Sequence, residues 1–223
     1  MLIVIPNVLS PGALEDIHDV LNPEDLIDGR TTAGWHAKQV KANRQLSPKA
    51  PYGQKIKDIV QTALWSNPLF QCAVQPRAIH TLLFSYYDSG MTYGSHVDNA
   101  FMGQGEQRRR ADVSFTIFLS HRESYQGGEL ILEQSDGDRP YKLDAGSAIV
   151  YPSSTLHQVA PVQSGIRWAS VGWVQSLVRN PAHRELLFDL DTARRSIFQS
   201  QGKTLEFDLI SKSHANLLRE WSD

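Results

Sequence analysis

The sequence predicts a mainly β protein with flanking helices, its strands arranged as an antiparallel sandwich or barrel. Three observations carry this. From about residue 78 the chain breaks into short segments rich in Val, Ile, Phe, Tyr and Trp, at 79–87, 111–119, 128–133, 147–151, 155–160 and 166–175. Clusters of Gly, Asp, Asn and Ser separate them, which is the punctuation of closely spaced strands and not of βαβ crossovers. Helical periodicity is confined to the two flanks of this region.

Taken in order, Leu2 to Ile5 is a short apolar run and reads as a strand. Ser10-Pro11 opens a helix, because serine can cap it and proline lacks only an N–H that the first turn leaves unpaired. Ile56, Ile59, Val60, Ala63 and Leu64 recur at helical spacing between Pro51 and Trp65, predicting a second helix. Ser114 to Leu119 and Glu129 to Leu132 have the texture of half-buried strands. After Asn180-Pro181 the strands stop. His183 to Gln199 places Leu186, Leu187, Leu190, Ala193, Ile197 and Phe198 on one helical face, Gly202 breaks the pattern, and Leu205 to Trp221 forms a second helix. The expected organisation is a unit over 1–177, with its β core at about 78–177, followed by a C-terminal helical hairpin over 178–223.

A chain of 223 residues can bury a sizeable core, and a hydrophobic share of 41%, a charged share of 21% and a net charge of -2 give no reason to expect a nucleic-acid partner. Only Gln107-Arg108-Arg109-Arg110 is locally basic, and it reads as a solvated loop. Cys72 is the single cysteine, which excludes an intrachain disulfide and suits a reducing compartment. The start has no basic segment and meets Pro6 too early for a signal peptide, and no apolar run approaches the ~18 residues of a membrane span. A cytoplasmic protein is expected, with no membrane partner; self-association is left open.

Three histidines are followed two residues later by an acid: His96/Asp98, His121/Glu123 and His183/Glu185. In an extended chain residues i and i+2 project to one side, whereas in a helix they diverge. His183/Glu185 falls on a predicted helix and fails. His121/Glu123 enters a polar turn. His96-Val97-Asp98 sits in an extended stretch after Gly90 and Gly94, and can grip an ion. His157, opening an apparent strand, adds a third ligand. Two imidazoles and one carboxylate form a facial triad characteristic of non-haem Fe(II) oxygenases, although zinc accepts the same set. Arg167 bears on that choice. If Pro161 to Ile166 is a hairpin turn, the strand of Arg167 runs back beside that of His157, with Arg167 offset by ~10 Å. That offset suits a five-carbon dicarboxylate, its 2-oxo acid end on iron and its far carboxylate on the guanidinium fork.

These residues resemble the Fe(II)/2-oxoglutarate dioxygenase signature. Gly127-Gly128-Glu129-Leu130 and the segment Asp144 to Pro152 are similar to the strands between its ligands. Closer still, Tyr93-Gly-Ser-His-Val-Asp-Asn-Ala100, Arg110-Ala-Asp-Val-Ser-Phe115 and Tyr151-Pro-Ser-Ser-Thr-Leu-His157 resemble the bacterial PKHD-type hydroxylases, sometimes described as iron-uptake factors. The likeness covers nearly the whole chain. It implies a double-stranded β-helix (jelly roll) that uses Fe(II), 2-oxoglutarate and O2, releases succinate and CO2 while hydroxylating a substrate, and takes ascorbate as an accessory reductant, with a link to iron homeostasis. Carried over residue by residue, His96, Asp98 and His157 would ligate iron and Arg167 would bind 2-oxoglutarate. Tyr86 and Trp168 are put forward beside the cofactor and Tyr93 as a further aromatic lining. Asn99, Phe101 and the loop to Arg110 are the candidate lid. Two other readings of the same triad are a zinc-dependent hydrolase and a non-catalytic jelly-roll binding module. Neither a peptide nor a small-molecule substrate can be named.

Overall fold

Every strand pairing in this chain is antiparallel, and the pairs assemble two facing sheets. The computed structural model describes residues 1–223, with the side chain of Gln107, first of the basic stretch, lying outside the described set. The chain begins with β1 (Ile3–Ile5) and α1 (Pro11–His18), where Ser10 Oγ accepts from Ala13 N at 3.2 Å. Short strands β2 (Leu26–Asp28), β3 (Lys41–Ala42) and β4 (Arg44–Leu46) precede α2 (Gly53–Ser66) and α3 (Pro68–Val74). Sequence periodicity missed α3, which is only two turns long. Its signal is Asn67-Pro68, in which Asn67 Oδ1 accepts from Phe70 N at 3.0 Å.

The β core follows: β5 (Pro76–Tyr87), β6 (Thr92–His96), β7 (Phe101–Met102), β8 (Arg109–Arg110), β9 (Val113–Phe118), β10 (Tyr125–Gly127), β11 (Leu130–Gln134), β12 (Gly137–Tyr141), β13 (Ala148–Pro152), β14 (His157–Val159), β15 (Val162–Gly165) and β16 (Arg167–Ser176). The larger sheet runs β1-β13-β9-β16-β5-β4-β2 and the smaller β12-β11-β14-β6-β3, with β7–β8 and β10–β15 as separate ribbons. Alternation divides the larger sheet. Leu82, Phe84, Tyr86, Phe115, Ile117 and Trp168 join Ile56, Val60 and Leu64 of α2 in one apolar cluster. Spaced four apart, those three α2 residues form a single buried stripe, and full burial stabilises by ~1.5–3 kcal/mol for each such side chain. The opposite face bears Ser85, Tyr87, Ser114, Thr116 and Arg167, turned toward the smaller sheet. Buried polar groups on that face are the first sign of a site.

The C-terminal pair is α4 (Pro181–Gln201) and α5 (Leu205–Trp221), capped by Asn180 and Thr204. The face it buries differs from the expected one. Leu187 is buried, but its companions are Arg184 and Asp191, while Leu186 and Phe198 are half exposed. Charges can take those places because they are paired: Arg184 Nη1 donates to the carbonyls of Val178 and Arg179 at 2.7 and 3.0 Å. Asp191 accepts from Arg194, Arg195 and the Cys72 thiol. Phe198 instead meets Phe207 of α5, ring centroids 5.1 Å apart. His183 stacks on Trp221 at 3.9 Å, so the histidine of the His183/Glu185 pair serves the hairpin.

The basic stretch is exposed at Arg108 and Arg109, as a solvated loop would be, and departs from that reading only at Arg110. Arg108 lies over the Phe101 ring at 4.6 Å, and Arg110 Nε donates to Asp112 at 2.7 Å with a further contact to Asp223 at 3.2 Å. β7 pairs with β8, and of these arginines only Arg110 is half-buried; Arg108 and Arg109 stay exposed. Among the described residues no helix is long and apolar enough to cross a membrane.

Candidate active site

The two histidines meet through strand register. β14 pairs with β6 so that His157 stands opposite His96, and the rings lie 4.2 Å apart between centroids. β6 ends at His96, and the chain turns so that the carboxylate of Asp98 comes within 3.9 Å of His157 Nε2. One donor atom from each of the three lies within 4.8 Å of the others.

Hydrogen bonds prepare these donors. His96 Nδ1 contacts the Gly94 carbonyl at 2.8 Å and His157 Nδ1 the Thr155 carbonyl at 3.0 Å. A carbonyl only accepts, so both Nδ1 atoms carry a proton, which leaves Nε2 as the nitrogen of each ring that can bind a metal. Ser114 Oγ donates to Asp98 Oδ2 at 2.6 Å and, its one hydrogen committed, accepts from Ser153 Oγ at 2.8 Å. Tyr93 stacks on His96 at 3.6 Å and the edge of Tyr151 meets His157 at 5.2 Å. Burial first, and then the neighbouring His157, hold the His96 pKa well below its ordinary 6.5, which keeps the ring neutral. Two imidazoles that direct Nε2 away from their carbonyl partners and an oriented carboxylate, all facing a cavity, fit a divalent cation with coordination positions left open.

Arg167 lines the same cavity, by a route the sequence reading had wrong. β16 does not lie beside β14. It pairs with β5 and β9 in the larger sheet, while β14 lies between β11 and β6 in the smaller one. The segment read as a hairpin turn contains β15, which crosses to pair with β10 and carries the chain from one sheet to the other. Arg167 therefore faces the triad across the cavity. Its side chain is 1% exposed, its Nε has no partner, and the guanidinium sits over Tyr87 at 5.1 Å and Phe118 at 5.5 Å. Gly128 makes room for it: with φ at +66°, its absent Cβ would lie 3.0 Å from Arg167 Cδ. A buried guanidinium without an anionic partner is a receptor for a carboxylate.

Tyr86 and Trp168 do not line this cavity. They are the alternation neighbours of Tyr87 and Arg167, so they point to the helix side, where their rings pack edge to face at 5.0 Å. Besides the two histidines, the aromatic groups at the cavity are Tyr87, Tyr93, Phe115, Tyr151 and Trp173. Asn99 and Met102 reach it, whereas Phe101, also expected there, is half exposed beneath Arg108. His121 and Glu123 are exposed at a turn and belong neither to the triad nor to the cavity lining. Sequence reasoning missed Ser114, Tyr87 and the group Thr32, Lys41 and Gln45. For Ser114 a signal existed: Ser114 and Thr116 alternate with apolar residues in a strand buried along its whole length.

Comparison with known proteins agrees with this geometry. The model of the 2OG-Fe(II) oxygenase superfamily matches residues 82–175. A PKHD-type hydroxylase of Acaryochloris marina is 60% identical over 223 residues, covering 100% of both chains. Another, of Synechococcus elongatus, is 55% identical over the same span. Among solved structures, a Pseudomonas putida prolyl-4-hydroxylase aligns with a TM-score of 0.54 at 19% identity, over 78% of this chain and 92% of that one. A viral collagen prolyl hydroxylase from Paramecium Bursaria Chlorella virus-1 gives 0.55 at 15%, over 78% and 96%. At these identities the structural likeness speaks for the jelly-roll fold alone.

Proposed function

The chain belongs to the PKHD-type hydroxylases of the 2OG-Fe(II) oxygenase superfamily and is a 2-oxoglutarate-dependent dioxygenase, and from that premise we propose that His96, Asp98 and His157 hold its Fe(II), that Arg167 binds the far carboxylate of 2-oxoglutarate, and that the reaction hydroxylates a substrate C–H bond with release of succinate and CO2. The observation that carries this reading is the pairing, in one cavity, of three convergent donor atoms within 4.8 Å with a fully buried guanidinium lacking a protein carboxylate. Bound iron supplies a Lewis acid for the 2-oxo acid and the redox chemistry that divides O2 between succinate and the hydroxylated product.

The protein's own residues supply orientation. The Gly94 and Thr155 carbonyls orient both imidazoles so that Nε2 is presented, and Ser114 fixes the orientation of the Asp98 carboxylate beside them. Arg167 sets the direction of the dicarboxylate from the facing sheet, so that its reacting end lies toward the histidines. The walls contributed by Leu83, Leu130, Val159 and Val171 exclude water from the reacting groups. Ascorbate as an accessory reductant and a link to iron homeostasis are proposed from the resemblance alone, and a cytoplasmic setting from composition and the single Cys72.

Purified protein given Fe(II), 2-oxoglutarate and O2 should form succinate, and zinc in place of iron should abolish it. Absence of succinate with iron bound refutes the reading. Mass spectrometry for a product heavier by one oxygen, after incubation with a metabolite extract and separately with cellular protein, identifies the substrate class.

A further inference from the structure

The cavity holds a second cation. Lys41, on the edge strand β3 beside β6, which ends in His96, is paired in register with Tyr93 and is only 6% exposed, yet it lines the cavity. Its Nζ sits 4.8 Å from the centroid of the Tyr93 ring, and that ring stacks directly on His96, so the ammonium stands one aromatic ring away from the triad. No protein carboxylate among the described residues pairs with it. Asp98 and Asp28 act on it only from a distance. Asp98 already accepts from Ser114, and Asp28 is held by Arg30.

Its one hydrogen bond is to Thr32 Oγ1 at 3.1 Å. Thr32 passes its own hydrogen to Gln45 Oε1, and Gln45 Nε2 donates to Ser85 Oγ at 3.1 Å, all four residues lining the cavity. The chain runs in one sense, away from Lys41, so Thr32 acts toward the ammonium only as an acceptor and two of its three N–H groups remain unspent. Burial lowers the Lys41 pKa to about 8, which leaves the charge in place at neutral pH. A desolvated, unpaired ammonium destabilises a fold unless something offsets it, and the single hydroxyl and the ring face are weak compensation.

We propose that Lys41 is a second carboxylate-binding residue of this cavity, completing its ion pair only when a ligand carboxylate enters. The proposal rests on the assignment of Arg167 to the far carboxylate of 2-oxoglutarate. Two ligands can present the carboxylate: 2-oxoglutarate itself, through its 2-oxo acid end, or the substrate to be hydroxylated, which is then an acid carrying that group near the carbon attacked.

The test uses the full chain loaded anaerobically with Fe(II), comparing wild type with Lys41→Met and Lys41→Gln; the second variant keeps a hydrogen bond to Thr32 without the charge. 2-Oxoglutarate is titrated by its visible charge-transfer band, and trifluoroacetate is then titrated into the 2-oxoglutarate complex by 19F relaxation, with the zinc-loaded protein as diamagnetic control. Two-oxoglutarate affinity at least tenfold weaker in both variants assigns the carboxylate to 2-oxoglutarate. Affinity changed less than threefold, with saturable trifluoroacetate binding in wild type that both variants weaken at least tenfold, assigns it to the substrate. Unchanged 2-oxoglutarate affinity with trifluoroacetate binding absent, or equal in all three proteins, overturns the proposal. So does a loss of thermal stability in both variants without any change in either binding, because Lys41 is then structural. No band in wild type refutes the iron and 2-oxoglutarate reading itself, and this inference falls with it.

Discussion

Replacing Arg167 by methionine should have opposite effects on ligand binding and on the stability of the empty protein. The guanidinium is 1% exposed, its Nε is unpartnered, and its visible compensation is the faces of Tyr87 and Phe118. In the complex it would meet a carboxylate in a water-poor cavity, and truncating one partner of a buried charge pair costs about 2–5 kcal/mol. The lower figure, about 2 kcal/mol, is already a ~30-fold loss of affinity. In the unliganded protein the same change removes a desolvated cation and leaves a side chain of similar length among apolar rings, which is close to neutral. Anaerobic titration of the Fe(II) protein with 2-oxoglutarate, followed by the charge-transfer band, measures the first effect. Thermal unfolding with and without 2-oxoglutarate measures the second: the unliganded Tm should stay within about 4 °C of wild type, about what 1 kcal/mol produces in a chain of this size, while the upward shift on adding ligand should largely disappear. An affinity within threefold of wild type refutes the assignment of Arg167. A large fall in the unliganded Tm would mean that the guanidinium is held for the fold.

Ser114→Ala should lower metal affinity ~10–100-fold in chelator competition while leaving the fold intact, because Asp98 loses the donor that orients it; unchanged affinity removes Ser114 from the site. Gly128→Ala forces a left-handed residue to carry a Cβ within 3.0 Å of Arg167 Cδ and 2.9 Å of Val162 Cγ2, so denaturant unfolding should show a loss of ~1–3 kcal/mol together with weaker 2-oxoglutarate binding. Loss of stability alone would place its role in the turn. The metal-free protein should lose stability on acidification below pH 6.5: His96 is kept neutral by burial and by His157, so the unfolded chain takes up a proton that the folded one refuses. His80 and His214, also lowered by burial, contribute with the same sign. Urea unfolding between pH 7 and 5 should show that decline and His96→Gln should flatten it; a level wild-type profile contradicts the buried, neutral state.

How the chain announces this fold differs from region to region. α5 ends where its periodicity says, Leu205 to Trp221, because Thr204 and the preceding Gly202 are local stop and start signals. β5, β9, β13 and β16 of the larger sheet were visible as apolar runs since they are largely buried, whereas the three-residue β2 and β4 of the same sheet were too short to show. β12, reading Gly-Asp-Arg-Pro-Tyr, was not, because it is an exposed edge strand with almost no apolar content. α4 shows the limit of periodicity: it marks an apolar face, but paired charges at Arg184 and Asp191 took the buried places.

What the sequence determined by itself was local or carried by a short string: the β class, the helical flanks, and the trio His96, Asp98 and His157 with the chemistry that two imidazoles and a carboxylate allow. Only the tertiary structure decided which sheet each strand joined. Alternation along a strand says that residues fall on two faces but not which face is inward, and that depends on what lies across from it. So Tyr86 and Trp168 went to the helices while Tyr87 and Arg167 turned to the cavity, and Arg167 arrived opposite His157 by crossing between sheets through β15, not by running back beside it. Lys41 is the clearest case. Nothing adjacent to it in sequence distinguishes it from a surface lysine, and its place beside the triad exists only because β3 pairs with β6.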